Sequence, residues 1–320
     1  MTEIPAENLP ADPPEPAAES GPAHRSGFVA VAGRPNVGKS TLMNAYLGQK
    51  IAIISDKPQT TRHTQLGILS RPDAQVIFVD TPGMHEPRNP LGAYMVEAAT
   101  RAMQDADAVL FIVDVSDPPG PGDRHLAELI ANRTDGAPVI LALNKSDLLK
   151  PEDILPHSSA YQALVPGAQW MLISASQGDN LNLLLEMVVA ALPEGPPLYP
   201  EDELTQTHVR DLAAEFVREA ALNALEQEVP HGVAVEIEEF QERGEAGAYI
   251  IATIIIERES HKGIVIGKGG SKLKEIGTQA RKEIETLLGY KVFLELHVKV
   301  RPNWRRNEAD VQRLGYRKRD

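Results

Sequence analysis

The sequence has no cysteine, so disulfides and zinc–thiolate sites are excluded and nothing points to secretion. No apolar run approaches the roughly 20 residues that a membrane-spanning helix needs. The N-terminus lacks the basic and apolar stretches of a secretory signal, and no Lys or Arg precedes Arg25. What the chain does have is size and apolar content. Its 320 residues, 42% hydrophobic, suffice for about two domains with real cores. The net charge of −13 taken as an average speaks against nucleic acid. The average hides a split: Arg258–Asp320 carries 16 Lys and Arg against 8 Asp and Glu, a net of +8, so the first 257 residues carry −21. A basic end on an acidic body suggests a nucleic-acid-binding module, with a merely solvated charged face as the plain alternative.

Residues 1–26 are rich in Pro, Ala and Glu and read as a disordered acidic tail. From Gly27 onward, short apolar runs (27–32, 75–80, 108–115, 138–144, 169–174) alternate with helical patterns (92–104, 124–132, 151–164, 181–192). That alternation predicts an α/β domain over 27–192, a doubly wound and mostly parallel sheet with helices on both faces. The Pro-rich stretch 193–203 reads as a stiff linker. Residues 204–307 follow the order α-β-β-α-α-β, a separate α+β module, and 308–320 reads as a basic tail.

Gly33-Arg-Pro-Asn-Val-Gly-Lys-Ser40 fits G-x-x-x-x-G-K-[ST] between a strand and a helix, the setting of a phosphate-binding P-loop. Glycines let the backbone curl so that successive N–H groups converge on phosphate oxygens, and the helix N-terminus adds partial positive charge. Gly33, Asn36, Val37, Gly38, Lys39, Ser40 and Thr41 are therefore the expected cradle of a nucleotide. Lys39 would bridge the terminal phosphates and Ser40 would hold Mg²⁺. Asp80-Thr-Pro-Gly83 ends an apolar strand, where Asp80 can hold the metal through a water and the Gly83 N–H can sense a γ-phosphate.

Asn144-Lys-Ser-Asp147 after the strand 139–143 resembles the guanine-reading element of GTP-binding proteins. The resemblance implies that Asp147 accepts from guanine N1–H and N2–H₂. Asn144 would steady the loop and reach the base, and Lys145 would cover its face. Ser174-Ala-Ser176 resembles the last guanine-site loop, with the Ala175 N–H meeting O6. ATP is disfavoured, since adenine lacks the exocyclic donor that Asp147 would need. Ser55-Asp-Lys-Pro-Gln-Thr-Thr-Arg-His63 resembles the switch I segment of the Era-like bacterial GTPases, and so do Gly33–Asn44 and Gly48-Gln-Lys-Ile51. Thr61 is the expected magnesium ligand, with Thr60 the alternative, so Lys39, Thr61 and Gly83 are the expected catalytic set. Met84 stands where Ras-like proteins carry a water-orienting glutamine. A thioether cannot orient water, so slow intrinsic turnover is expected. His85 beside it reads as a solvated histidine. Asn36 either shapes its loop or holds K⁺ against the phosphates, as relatives with Asn at this position do.

His261-Lys-Gly-Ile-Val-Ile-Gly-Lys-Gly-Gly270, followed by Ser271–Gly277, resembles the G-x-x-G loop of a KH domain, and the element order is that of the type II KH fold. The RNA-binding residues so implied are Lys262, Ile264, Gly267, Lys268, Gly269, Gly270 and Lys272. Lysines and helix N-terminal amides would meet phosphates, and Ile264, Ile266 and Leu273 would line a groove for bases. Over about residues 27–307 the chain resembles the Era-like GTPases with a C-terminal KH domain. The resemblance implies GTP and GDP as ligands and the 3′ end of small-subunit (16S) ribosomal RNA as partner. It also implies a role in small ribosomal subunit maturation and a monomer in the cytoplasm; peripheral association with the inner face of the membrane is left open. The alternatives are a GTPase of the same class acting in tRNA modification or large-subunit assembly, an ATPase, and an RNA-binding scaffold that holds GTP without hydrolysing it.

Overall fold

The structure is a computed structural model that describes residues 24–57, 60–84, 87, 89–133, 136–244 and 247–316. The first domain runs β1 (Arg25–Ala32), α1 (Lys39–Leu47), β2 (Gln65–Ser70), β3 (Ala74–Asp80), α2 (Pro90–Gln104), β4 (Ala108–Asp114), α3 (Pro121–Ala131), β5 (Val139–Asn144), α4 (Ile154–Gln162), β6 (Gln169–Leu172) and α5 (Leu181–Ala191). Its six strands lie in the order β2-β3-β1-β4-β5-β6, all neighbours parallel except β2 against β3. The central strands are mostly apolar because both faces are covered. Val29 and Val31 face α1 and α5, whereas Ala30 and Ala32 face α2, α3 and α4. Parallel strands bring the loops after β1, β3 and β5 to one edge, and the ligand crevice of such sheets forms there.

The second domain runs α6 (Val209–Ala224), β7 (Ala234–Glu242), β8 (Ala248–Ile256), α7 (Glu259–Ile266), α8 (Ser271–Leu288) and β9 (Val292–Val300). Its sheet is β7-β8-β9, with β7 antiparallel and β9 parallel to β8. α6 and α8 cover one face through Phe216, Val217, Ala220, Ile276, Ala280 and Ile284.

Several sequence expectations change. β2 has no counterpart among them: six residues with Gly67 in the middle give little alternation to read. Gly67 is needed there, since a Cβ would lie 2.8 Å from Leu47 and 2.9 Å from Met43 of α1. α2 begins at Pro90 rather than residue 92, because Asn89 caps it through Gly92 N at 2.9 Å and Pro90 lacks only an N–H that the first turn leaves unpaired. The sheet begins at Arg25, inside the expected tail, whose residues 1–23 lie outside the described residues. The linker is not a free arm. Ser26 N donates to Pro193 O, Gly195 N to His24 O, and Leu198 N and Tyr199 N to the Gln75 side chain. The C-terminal segment is not a free tail either. After a 3-10 turn at Trp304–Arg306, helix α9 (Glu308–Arg313) packs on α2. Trp304, Val311 and Tyr316 are buried there with Leu91 and Met95, apolar contacts that offset the entropy of ordering the segment. Residues 317–320 of that tail lie outside the described residues.

Candidate functional site

The loop between β1 and α1 turns through two left-handed residues, Asn36 at φ 64° and Gly38 at φ 103°. A side chain on Gly38 would strike the Asn144 amide, and one on Gly33 would strike the backbone of Ile112 in β4. The loop is also braced from outside. Arg34 donates to the buried Asp123 of α3 at 2.7 Å, and Asp123 accepts from Gly120 N at 2.9 Å. Inside the loop, the Lys39 ammonium donates to the carbonyls of Gly33 (3.1 Å) and Arg34 (2.9 Å). Burial lowers its pKa to about 8, with nearby Asp80 working the other way.

Ser40, Thr61 and Asp80 converge. Ser40 Oγ donates to Asp80 Oδ2 at 2.7 Å and lies 3.1 Å from Thr61 Oγ1, which is 3.5 Å from the same carboxylate oxygen. Burial pushes the Asp80 carboxyl above its ordinary value despite Lys39 and these hydroxyls, and its Oδ1 is buried with no hydrogen-bond partner among the described residues. Two hydroxyls and a carboxylate, one of whose oxygens has no hydrogen-bond partner among the described residues, make a hard oxygen donor set that fits Mg²⁺. The Thr60 hydroxyl is committed elsewhere, to Lys57 O at 2.6 Å. Gly83 lies against the P-loop, where a Cβ would come within 2.7 Å of Pro35 N. Met84 is 7% exposed and packs in the core with Ala99 and Met103. His85 lies outside the described residues. Asn36 donates from its side-chain amide to the Asp56 carbonyl of switch I at 2.6 Å.

At the far end of the site, Asn144 ties three loops together. Its amide donates to Val37 O at 2.7 Å and accepts from Ala175 N at 2.9 Å. Asn144 is thus a buried brace, and the Ala175 N–H expected to meet a base already serves it. Lys145, left-handed at φ 65°, is aimed by Asp114 at 2.5 Å. Burial works to raise the Asp114 carboxyl, but the bonds from Lys145 and Ser116 outweigh it and hold it below the usual carboxylate range. Asp147 is exposed in a 3-10 turn, and its carboxylate has no hydrogen-bond partner among the described residues. Ser174 is buried, with its hydroxyl accepting from Gln177 N at 3.2 Å. Asn36, Gly38, Lys39 and Ser40 of the loop, with Thr61, Gly83, Asn144, Lys145, Asp147 and Ala175 and with Thr41, Leu148 and Ser176, line one cavity of about 500 Å³, a fitting size for a small-molecule site; the buried Asp80 and Ser174 are not part of its lining. Sequence reasoning missed Arg34, Asp56, Asp114 and Arg62, whose partners are remote in the chain.

The G-x-x-G segment joins α7 to α8 in the second domain. Gly267, Gly269 and Gly270 have φ of 74°, 62° and 81°. A Cβ on Gly267 would lie 2.7 Å from Lys272 N, so α8 can start there only over glycine. Lys268 is exposed, Lys272 pairs with Glu275 at 2.8 Å, and Lys262 lies 4.0 Å from Glu259. Ile264 is 51% exposed, and Leu273 is half-buried against the domain core.

The sequence profile described as a 50S ribosome-binding GTPase matches residues 28–145, and the KH domain profile matches 228–305. The chain is 49% identical over 297 residues to GTPase Era of Lacticaseibacillus paracasei, covering 93% of this chain and 98% of that one. It is similar to Era crystallised with MgGDPNP and nucleotides 1506–1542 of 16S ribosomal RNA, with a TM-score of 0.87 at 43% identity, covering 92% and 99% of the two chains. It is equally similar to an Aquifex aeolicus Era variant bound to GDP and AlF4⁻, with a TM-score of 0.85 at 43% identity over 91% and 99%. With both halves matched, in order and over nearly their whole length, the chain belongs to the Era family of GTPases with a C-terminal KH domain.

Proposed function

We propose that this GTPase binds the 3′ end of 16S ribosomal RNA through its KH domain and acts in assembly of the small ribosomal subunit and maturation of its RNA. The observation that carries the reading is one cavity lined by the phosphate loop, by Ser40 and Thr61 beside the buried Asp80, and by Asp147, in a chain so similar to an RNA-bound Era. The P-loop amides and Lys39 hold the phosphates, and Asp147 accepts from the guanine edge while Lys145 covers the base. Ser40 and Thr61 hold Mg²⁺, with Asp80 acting through a water; when bound, the metal neutralises charge that builds on the phosphate oxygens. Gly83 and Thr61 sense the γ-phosphate. Met84, turned into the core, cannot orient the attacking water, so turnover without help should be slow. Asn36 and the Asp56 carbonyl stand 2.6 Å apart across the mouth of the loop. With the amide turned over, two oxygens face one monovalent cation, a site for K⁺. The Gly267–Gly270 loop with Lys262, Lys268 and Lys272 takes the RNA backbone, and Ile264 takes a base.

The same reading places the chain in the cytoplasm as a monomer, and cell fractionation decides whether a share sits at the inner face of the membrane. Among the described residues no helix is long and apolar enough to cross one. Competition binding tests the guanine assignment. GTP and GDP should displace a fluorescent guanine nucleotide far better than ATP, and Asp147→Asn should shift preference to xanthine nucleotides, whose C2 oxygen accepts from the new amide. Equal displacement by ATP would remove Asp147 from its role. RNA crosslinking in cells, with sequencing of the bound fragments, decides 16S ribosomal RNA against tRNA.

A further inference from the structure

Three consecutive residues of switch I point three ways. Thr61 sets its hydroxyl beside Ser40 and Asp80. On one side of it, the Thr60 carbonyl accepts from the Arg218 guanidinium. On the other, Arg62, 1% exposed, donates to the carbonyls of Val233 (2.7 Å) and His231 (3.2 Å) and lies over the Trp304 ring at 5.6 Å. The anchors of Thr60 and Arg62 all belong to the C-terminal half. Arg218 stands on α6, 158 residues after Thr60, and is itself 1% exposed. Glu215, one turn earlier on α6, fixes its guanidinium by a fork of two bonds. The same helix follows the segment further back. Glu219 accepts from Ile54 N at 2.9 Å, Asn223 accepts from the Ser55 hydroxyl at 2.8 Å, and Ile53 is buried in the second domain's own core.

An ion pair within one helix does not need burial against another domain, and burying it carries a desolvation penalty. What burial adds is the bond across the interface to Thr60. We infer that Arg218 is a positioning residue for GTP hydrolysis: acting from the KH domain, it fixes the Thr60 carbonyl and so holds the Thr61 hydroxyl beside Ser40 and Asp80. The inference rests on the reading of those three side chains as the metal site. It makes the hydrolytic site incomplete in the first domain alone. Because a hydrogen bond weakens steeply when stretched or bent, a small displacement of α6 releases Thr61.

The test uses the full-length protein with Arg218→Met combined with Glu215→Gln, so that no lone charge stays buried, and with Arg218→Lys. Thr61→Ala is the reference. Single-turnover GTP hydrolysis is measured alongside the affinities for fluorescent GDP and for a non-hydrolysable GTP analogue across a Mg²⁺ titration, and thermal unfolding. Loss of a charge-assisted hydrogen bond predicts hydrolysis about tenfold slower or more in the double variant. The analogue should need more Mg²⁺, GDP affinity should stay unchanged, and the Lys variant should fall between. Unchanged hydrolysis and analogue affinity in the double variant, while Thr61→Ala loses both, overturn the inference. So does a parallel fall in GDP and analogue affinity with a lower melting temperature, which marks a scaffold role only. Full activity in Thr61→Ala removes the metal reading and this inference with it.

Discussion

Gly38 is where the nucleotide site is least tolerant. Its φ of 103° is left-handed, and a Cβ would run into the Asn144 amide that ties Val37 to Ala175. Gly38→Ala should therefore destabilise the protein by about 1–2 kcal/mol from backbone strain alone. It should weaken GDP binding further by displacing Asn144. Thermal unfolding and nucleotide titration measure the two effects, and a variant that matches wild type in both would show that the turn accepts a side chain. Gly38 was legible in the sequence because a phosphate loop is a local device: its glycines, Lys39 and Ser40 sit within eight residues. Asp80 and Asp147 were legible for the same reason, each at the end of an apolar strand. Arg34 and Arg62 were not. Their partners lie 89 and 171 residues away, and no spacing rule links a loop arginine to a carboxylate or carbonyl met only in the fold.

Among the elements, the parallel strands and the KH order could be read directly, since apolar runs and helical periods repeat there without interruption. β2 and α9 could not. β2 is short and broken by Gly67, and α9 has six residues whose apolar face exists only against α2. The turn that leads into α9 is tied back to the KH domain. Trp304 Nε1 donates to Gly232 O at 2.8 Å, and Arg305 donates to Glu257 at 2.5 Å just beyond β8. Burial works to raise the Glu257 carboxyl, but the Arg305 bond and charge outweigh it, so its pKa in the folded protein lies below the ordinary 4.5. A carboxylate with a depressed folded pKa adds stability that is complete above its unfolded value and is lost as pH falls through the folded one. Glu257→Gln should thus be less stable than wild type at pH 7, and the gap should close as pH falls below about 4.5. Melting temperatures from pH 7 down to 3.5 measure it; a gap constant with pH would mean that the ion pair contributes nothing through its charge.

At the scale of the whole molecule, the question is how one half informs the other. The linker, read from the sequence as stiff, is hydrogen-bonded to the first domain at His24, Ser26 and Gln75. Contacts that cross the interface include switch I on α6 and the C-terminal segment on α2. Lys50, just after α1, reaches Glu219 of α6 at 2.7 Å and Glu283 of α8 at 3.3 Å, so both helices of the KH face register the nucleotide domain. α8 starts at the Gly267–Gly270 loop, so the proposed RNA grip stands at the end of a helix whose flank touches Lys50 of the nucleotide domain. RNA affinity should therefore differ between the GTP-analogue and GDP states, and it should fall steeply with salt as phosphate contacts release counterions. Replacing Lys268→Asp together with Gly269→Asp puts two carboxylates where phosphates would sit, and Gly269 at φ 62° accepts a side chain only under strain. That variant should lose RNA binding while basal GTP hydrolysis persists, because neither residue lines the nucleotide cavity or belongs to α6, which holds switch I. Fluorescence anisotropy with single-stranded RNA of the 16S 3′-end sequence, in both nucleotide states, reads each part. Undiminished affinity in the variant would move the RNA site elsewhere. Equal affinity in the two states of the wild type would mean that α6 grips switch I without passing its state to α8, and that the chain carries two independent modules.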